Sequence, residues 1–269
     1  MDQEFRAGDV AISVDGLVVT AMLDRPNAKN SINEGILIGL EAATRTAEEI
    51  GARVLVIRGA GGNFCTGADL VEADRIRRDR SMLEEFSNRF CRILDDIETG
   101  RFVSIAVIEG FAVAGGCELL LACDIVIAES SALIGDGHMN FGLVPAAGGS
   151  VRLPRHLPQA RANYLLLVGG LLTGTQAADW GLVTFVTERA NLTAMVEGIA
   201  SQTAARSSYA LATMKKMIES TRQSFPVDAQ KFERERFVDH MQTRDVEEGL
   251  SAFREKRLPV FKPFDESDG

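Results

Sequence analysis

The chain of 269 residues lacks the features that mark extracellular and membrane-spanning proteins. Its four cysteines, at positions 65, 91, 117 and 123, form no CxxC pair and no spacing typical of a metal site. No apolar run approaches the roughly 20 residues that a membrane-spanning helix needs. The first residues, MDQEF, show no basic segment followed by an apolar stretch, so no secretory signal is predicted. These absences predict reduced thiols, no metal site, no membrane association and a cytoplasmic location.

Positive charge is also scarce, with 29 Lys and Arg against 38 Asp and Glu and a formal net charge of -9. A nucleic-acid surface normally carries a basic stripe, so no nucleic-acid partner is predicted. The densest basic stretch, residues 75–80, is short and flanked by acids, which favours a solvated face or a phosphate contact over an RNA site. Neither GxGxxG nor GxxxxGK[ST] occurs, so no dinucleotide or P-loop site is predicted.

Hydrophobic residues make up 46% of the chain, enough to bury a sizeable core. Apolar runs predict strands separated by helical patterns, and the strands are expected at 10–14, 18–23, 54–58, 103–108, 124–129 and 181–186. A capping-box pattern at 31–34 predicts the start of the first long helix. Residues 132–145 have the composition of a glycine-rich loop. Helical patterns alone fill 190–257. The sequence therefore predicts an α/β core over 1–190 and a helical C-terminal part over 191–269.

The most informative stretch runs from Glu109 to Asp124 and reads EGFAVAGGCELLLACD. An apolar strand leads into two adjacent glycines, Gly115 and Gly116, and a helical run follows. Such a corner points backbone N–H groups at whatever lies beside it, and glycine allows close approach to that backbone. Glu118 lies in the first helical turn, beside the same spot. This combination suits a site that polarises a carbonyl oxygen and moves a proton next to it.

A second motif, NFCTGAD at residues 63–69, also follows an apolar strand and turns at a glycine. Two such turns could each supply one N–H group to a single oxyanion. At these two motifs, and at the tail from Asp245 to Lys262, the sequence resembles the crotonase family, also called the enoyl-CoA hydratase/isomerase superfamily. The resemblance covers about residues 18–262.

The resemblance implies both a fold and an assembly. Crotonase folds are α/β, with a (ββα)n spiral core of two roughly perpendicular sheets and C-terminal helices that pack a trimer. A homotrimer, or a homohexamer of two trimers, is therefore expected. The implied substrate is an acyl-CoA thioester, whose oxygen would be held as an enolate by the backbone N–H groups of Thr66 and Gly115.

The resemblance also implies catalytic positions. Glu118 matches the glutamate that helps to activate water in the hydratases. Their second glutamate, which protonates the α-carbon, corresponds to His138 here. Histidine titrates near neutral pH, so His138 is a candidate acid. Asp136, between two glycines, is a candidate substitute carboxylate. Thr66 departs from the small apolar residue usual at that position, although its backbone N–H can still donate.

Contacts with the substrate or its CoA part are predicted for a wider set of residues: Ala28, Lys29, Gly67, Ala68, Asp69, Gly116, Asp136 and Lys256. No cofactor beyond the CoA of the substrate is implied. Hydration of a 2-enoyl-CoA is the simplest activity. Double-bond isomerisation, C–C bond hydrolysis of a β-keto acyl substrate and non-catalytic acyl-CoA binding remain the alternatives.

Overall fold

The computed structural model describes residues 3–223 and 226–262. Its strands are β1 (Gln3–Ala7), β2 (Val10–Asp15), β3 (Val18–Leu23), β4 (Val54–Gly59), β5 (Val103–Ile108), β6 (Phe111–Val113), β7 (Ile125–Glu129), β8 (Leu133–Gly135), β9 (Leu172–Thr173) and β10 (Phe185–Thr187). Its α-helices are α1 (Glu34–Glu49), α2 (Leu70–Ile76), α3 (Arg80–Thr99), α4 (Gly115–Leu121), α5 (Gly149–His156), α6 (Gln159–Asn163), α7 (Gly174–Trp180), α8 (Arg189–Ala204), α9 (Ser208–Gln223), α10 (Pro226–His240) and α11 (Arg244–Glu255).

Seven strands form one sheet in the order β1-β2-β3-β4-β5-β7-β10. The pairs β1–β2 and β2–β3 are antiparallel, and the remaining pairs are parallel. Strands β6, β8 and β9 form a second, smaller sheet. The chain therefore leaves the large sheet after β5 and enters the smaller one at β6. The corner with Gly115 and Gly116 follows directly after β6.

The large sheet is covered on both faces, as expected for parallel strands with apolar residues in succession. Leu55 and Ile57 of β4 belong to the main hydrophobic core, to which α1 and α3 also contribute. Val54 and Val56 point the other way and pack with Leu192 of α8. Helix α8 thus belongs to the packing of the sheet, although the predicted division at residue 190 falls one residue after its start. That division stays a prediction.

Most strands and helices predicted over the core are present, with three corrections. The strand predicted at 181–186 is shorter and shifted, since β10 begins only at Phe185. The backbone N–H groups of Gly181, Leu182 and Val183 instead bond to carbonyl oxygens of α7.

The cap of α1 is Asn33, whose Oδ1 accepts a hydrogen bond from Ile36 N at 2.9 Å, so the predicted capping box at 31–34 is wrong. Ser31 instead directs its hydroxyl towards Asp69. The segment 132–145 contains β8 and a short 3-10 turn (His138–Phe141), because β6 supplies a pairing partner that the local sequence does not reveal.

The helices of the C-terminal part are amphipathic or polar. Within residues 3–223 and 226–262, no helix combines the length and apolar character that crossing a bilayer requires.

Candidate active site

The two glycine motifs lie side by side at the end of the large sheet. Cys65 N donates a hydrogen bond to Phe111 O at 2.9 Å, and Val113 N donates to Cys65 O at 3.1 Å. This short parallel pairing places Thr66 next to the corner between β6 and α4. The structure therefore brings together the two turns that the sequence identified separately.

The contact between these turns is closer than ordinary side chains would allow. Gly67 has φ +87°, and a Cβ built there would lie 2.7 Å from Ala114 Cβ and 3.0 Å from Gly115 N. Ala114 itself has φ +52°, a sparsely populated conformation that persists only where the surrounding structure imposes it. Among the described residues, neither Thr66 N nor Gly115 N is engaged in a backbone hydrogen bond as donor. Both amides are therefore available to a bound group.

Glu118 is buried in the first turn of α4. Its Oε1 accepts hydrogen bonds from Ala147 N at 2.7 Å and Gly149 N at 2.9 Å. Gly149 begins α5, so the positive end of a helix faces the carboxylate. Burial raises the pKa of Glu118, the two backbone hydrogen bonds oppose that rise, and the net shift is upward. A carboxylate tuned in this way is suited to exchanging a proton.

His138 is held by Asp136. Its Nδ1 lies 3.0 Å from Asp136 Oδ2, and its backbone N donates to Asp136 Oδ1 at 3.3 Å. Burial lowers the pKa of His138, but the hydrogen bond and charge of Asp136, together with the charge of Glu118, raise it above the ordinary value. Because Nδ1 is engaged by Asp136, Nε2 is the ring nitrogen that can act on a ligand. Asp136 is 1% exposed, and both of its carboxylate oxygens contact His138. Its carboxylate therefore orients His138.

Two adjoining cavities meet at this point. One, of about 200 Å³, is lined by Thr66, Phe111 and Ala114 among others. The second, of about 170 Å³, is lined by Gly115, Glu118 and residues of α2 and α3. Ala68, His138 and Leu143 border both. The predicted catalytic pair and the two predicted N–H donors therefore line two neighbouring cavities that share three bordering residues.

Lys29 also approaches this region. Its Nζ lies 4.8 Å from the centroid of the Phe111 ring, and its carbonyl oxygen accepts a hydrogen bond from Thr66 Oγ1 at 3.4 Å. Ala28 precedes it at the end of a short 3-10 turn. The loop that carries both residues therefore lies at the rim of the first cavity.

Other predicted contact residues occupy structural positions in the described chain. A Cβ on Gly116 would lie 2.2 Å from Cys65 O, so Gly116 permits the close packing of the two motifs. Asp69 caps α2 and pairs with Arg25 at 2.9 Å. Lys256 ends α11 and lines neither cavity. Their predicted contacts with substrate or CoA stay predictions.

Sequence reasoning missed the partners of Glu118. The run AAGG at residues 146–149 has the pattern of a helix start, but nothing local connects it to Glu118, which is 29 residues from Ala147. The adjacent glycines at 148 and 149 were the available signal. Sequence reasoning also missed the apolar wall that α3 supplies to the second cavity.

The cysteines are free thiols. Burial raises the pKa of the Cys65 thiol to about 12, so it stays protonated at neutral pH. Within the part of the chain that the structure describes, no cluster of three or more His, Cys, Asp or Glu side chains could hold a metal ion.

Comparison with known proteins identifies the family. The family model described as enoyl-CoA hydratase/isomerase matches residues 15–263. A probable enoyl-CoA hydratase of Bacillus subtilis is 32% identical over 257 residues, covering 94% of this chain and 98% of the relative. The mitochondrial enoyl-CoA hydratase domain-containing protein 2 of Bos taurus is 35% identical, covering 91% of this chain and 84% of the relative.

Solved structures agree with the sequence relatives. The crystal structure of an enoyl-CoA hydratase from Polaromonas sp. JS666 has a TM-score of 0.90 and 30% identity, covering 94% of this chain and 99% of that one. One from Bacillus anthracis has a TM-score of 0.89 and 30% identity, covering 95% and 100%. The predicted crotonase-like α/β fold is confirmed, and the chain belongs to the enoyl-CoA hydratase/isomerase family.

Proposed function

We propose that this enzyme adds water across the C2–C3 double bond of a 2-enoyl-CoA and forms a 3-hydroxyacyl-CoA. The observation that carries the proposal is the arrangement of Glu118 and His138 around one cavity, beside the available amides of Thr66 and Gly115. A base, an acid and two oxyanion donors are the groups that hydration of a conjugated thioester requires.

The proposed reaction begins with water placed next to Glu118. The Glu118 carboxylate takes a proton as the water oxygen bonds to C3, and the electron pair of the double bond shifts towards the thioester oxygen. The amides of Thr66 and Gly115 stabilise the resulting enolate. His138 then donates its Nε2 proton to C2, and the thioester carbonyl reforms. Loss of one oxyanion donor typically costs about 2.7–4 kcal/mol of barrier, so the two turns contribute strongly to the rate.

The second cavity indicates the kind of acyl group. It follows one face of α3, and apolar side chains cover its wall, among them Phe86 and Phe90. The ionisable side chains on that wall are Glu118 and His138. Its volume is about 170 Å³. We therefore propose an uncharged hydrocarbon acyl chain as the preferred substrate.

The CoA part would extend past Lys29, whose ammonium, 4.8 Å from the centroid of the Phe111 ring, would meet a phosphate at the rim of the first cavity. No cofactor beyond this CoA enters the proposed reaction. The proposal retains a homotrimer, or a homohexamer of two trimers, as the assembly. Sedimentation at the mass of a monomer would contradict that part.

The test is mass spectrometry after incubation with a panel of 2-enoyl-CoA and β-keto acyl-CoA esters in water labelled with both ²H and ¹⁸O. We expect an enoyl-CoA to gain one labelled water while its thioester and carbon chain stay intact. Exchange of hydrogen for solvent ²H at carbon, without net gain of water, would show that the reaction is isomerisation and not hydration. Binding without turnover across the panel would favour an acyl-CoA-binding protein.

One observation favours a second candidate function, the hydrolysis of a C–C bond in a β-keto acyl-CoA. The hydrogen bond and charge of Asp136 raise the pKa of His138, which favours the imidazolium, and an imidazolium can polarise a ketone oxygen. A cleaved carbon chain in the β-keto arm of the same panel would select this function.

Asp136→Asn is expected to shift the pH dependence of kcat/KM. The base must be ionised and the acid protonated, so the profile rises with deprotonation of Glu118 and falls with deprotonation of His138. Asp136 raises the pKa of both groups. Neutralising Asp136 should therefore move both limbs of the profile to lower pH. If the falling limb moves by about one pH unit, kcat/KM at pH values on that limb falls about tenfold.

Asp179→Asn, which changes an exposed carboxylate on α7, is the matched control and should leave both limbs in place. A falling limb that does not move in Asp136→Asn would show that His138 is not the group that limits activity at high pH.

A further inference from the structure

We infer that Arg152 is a positioning residue for Glu118, because it clamps the turn at residues 147–149 whose backbone N–H groups hold the Glu118 carboxylate. The inference rests on the proposed role of Glu118 as the base. Arg152 itself touches no reacting atom, and its effect passes through the turn.

Arg152 is nearly buried, with 7% of its surface exposed, and its guanidinium donates three hydrogen bonds. Nη1 donates to Ala147 O at 2.8 Å. Nε donates to Glu98 Oε2 at 2.9 Å, and Nη2 donates to Asp95 Oδ1 at 2.8 Å. Both carboxylates belong to α3. The planar guanidinium is thus fixed between α3 and the turn. A lysine ammonium, which is a single charge on a flexible chain, would not reproduce this geometry.

The turn is shaped around this side chain. Gly148 has φ +100°, and a Cβ built there would lie 2.2 Å from Arg152 Nη1. The guanidinium therefore occupies the space that a side chain at position 148 would fill. A groove of about 510 Å³ lies on the same side and is lined by Ala147, Gly148, Arg152 and Arg155 among others. Without Arg152, the turn would border this open groove and lose its support.

The same turn holds Glu118 from its other side. Ala147 presents its carbonyl oxygen to Arg152 at 2.8 Å and its N–H to Glu118 Oε1 at 2.7 Å. Gly149 N completes the pair of donors at 2.9 Å. Because one residue bonds to both side chains, a displacement of Ala147 changes the environment of the carboxylate directly.

Few other titratable groups act on Glu118. His138 and Asp136 face it from the segment after β8, with opposite effects on its pKa. The thiols of Cys91, on α3, and Cys117, on α4, interact with its charge, and burial raises the pKa of both thiols. They are therefore uncharged at neutral pH. The backbone donors of the turn are the largest influences that oppose burial.

Arg152→Gln is expected to weaken both backbone hydrogen bonds to Glu118. Since these bonds lower the pKa of Glu118, their loss should raise it and move the rising limb of the kcat/KM profile to higher pH by about one unit, a factor of about ten in rate on that limb. The Kd for a saturated acyl-CoA should stay unchanged. Arg152→Lys, which keeps the charge and one contact, should show a smaller shift in the same direction.

Arg155→Gln provides the matched control, because Arg155 lines the same groove but lies exposed. It should leave the profile and the binding unchanged. A lower Tm with an unmoved rising limb in Arg152→Gln would overturn the inference and leave Arg152 a purely structural residue. If Arg152→Gln does not fold, the limb measured for Arg152→Lys decides in the same way.

An infrared titration of the Glu118 carboxyl, assigned by its loss in Glu118→Gln, separates this inference from the proposed function. If Arg152→Gln shifts the titration of the Glu118 carboxyl but the wild-type enzyme hydrates no substrate, the positioning role of Arg152 is supported and hydration is rejected. If the wild-type enzyme is an active hydratase but Arg152→Gln leaves the titration of the Glu118 carboxyl unchanged, only the positioning role of Arg152 is rejected.

Discussion

Glu118→Gln is expected to lower turnover at least 100-fold while the Kd for a saturated acyl-CoA stays nearly unchanged. The glutamine side chain keeps an oxygen for the N–H groups of Ala147 and Gly149, so the local structure should persist. It cannot accept a proton from water, and lost acid–base catalysis typically costs 10²–10⁴-fold, roughly. Steady-state hydration kinetics and calorimetric binding of the acyl-CoA measure the two quantities.

Glu129→Gln is the matched control. Glu129 is also buried and also accepts a backbone hydrogen bond, from Gly110 N at 2.9 Å, but it lines neither cavity. Its variant should keep the turnover of the wild type. Equal turnover of Glu118→Gln and the wild type would remove Glu118 from the mechanism.

Gly67→Ala is expected to reduce kcat by about two to three orders of magnitude, the loss that follows removal of one oxyanion donor. The added Cβ would lie 2.7 Å from Ala114 Cβ and 3.0 Å from Gly115 N. Contacts this short force the corner between β6 and α4 to move, so the amide of Gly115 would leave the position that the proposed oxyanion site requires. Stopped-flow measurement of the chemical step would report the change.

Gly181→Ala separates this effect from simple backbone strain. Gly181 has φ +91°, against +87° for Gly67, and a Cβ there would meet no heavy atom within 4 Å. Alanine in this conformation costs about 1–3 kcal/mol of stability at either site. Gly181→Ala should therefore lose stability and keep its kcat. A Gly67→Ala enzyme with normal kcat would mean that the two turns do not form the oxyanion site.

Local sequence determined much of the fold. The apolar runs that became β4, β5 and β7 were identified because a buried parallel strand reads as a continuous hydrophobic segment. Strands β2 and β3 were identified from the apolar residues that recur along them. Strand β1 and the shorter strands β6, β8 and β9 were missed. The last three have two or three residues each, and their existence depends on pairing partners that are distant along the chain.

The cap of α1 shows the same limit on a smaller scale. Ser31 and Asn33 both have side chains that cap helices, and the pattern favoured Ser31. The structure directs Ser31 towards Asp69 and Arg25, which leaves Asn33 as the cap. A long-range contact thus chose between two local possibilities of similar energy.

By itself, the sequence determined the α/β class, the two glycine turns and Glu118 as the principal candidate for the base. Each of these features depends on residues that are neighbours in the sequence, so local geometry and resemblance to the family were sufficient to predict it. Only the tertiary structure decided how the candidate acid and the candidate base are held. Asp136 orients His138, and the turn at 147–149 holds Glu118 from 29 and 31 residues away. Hydrogen bonds and burial set the pKa of a side chain, and both depend on which distant segments pack around it.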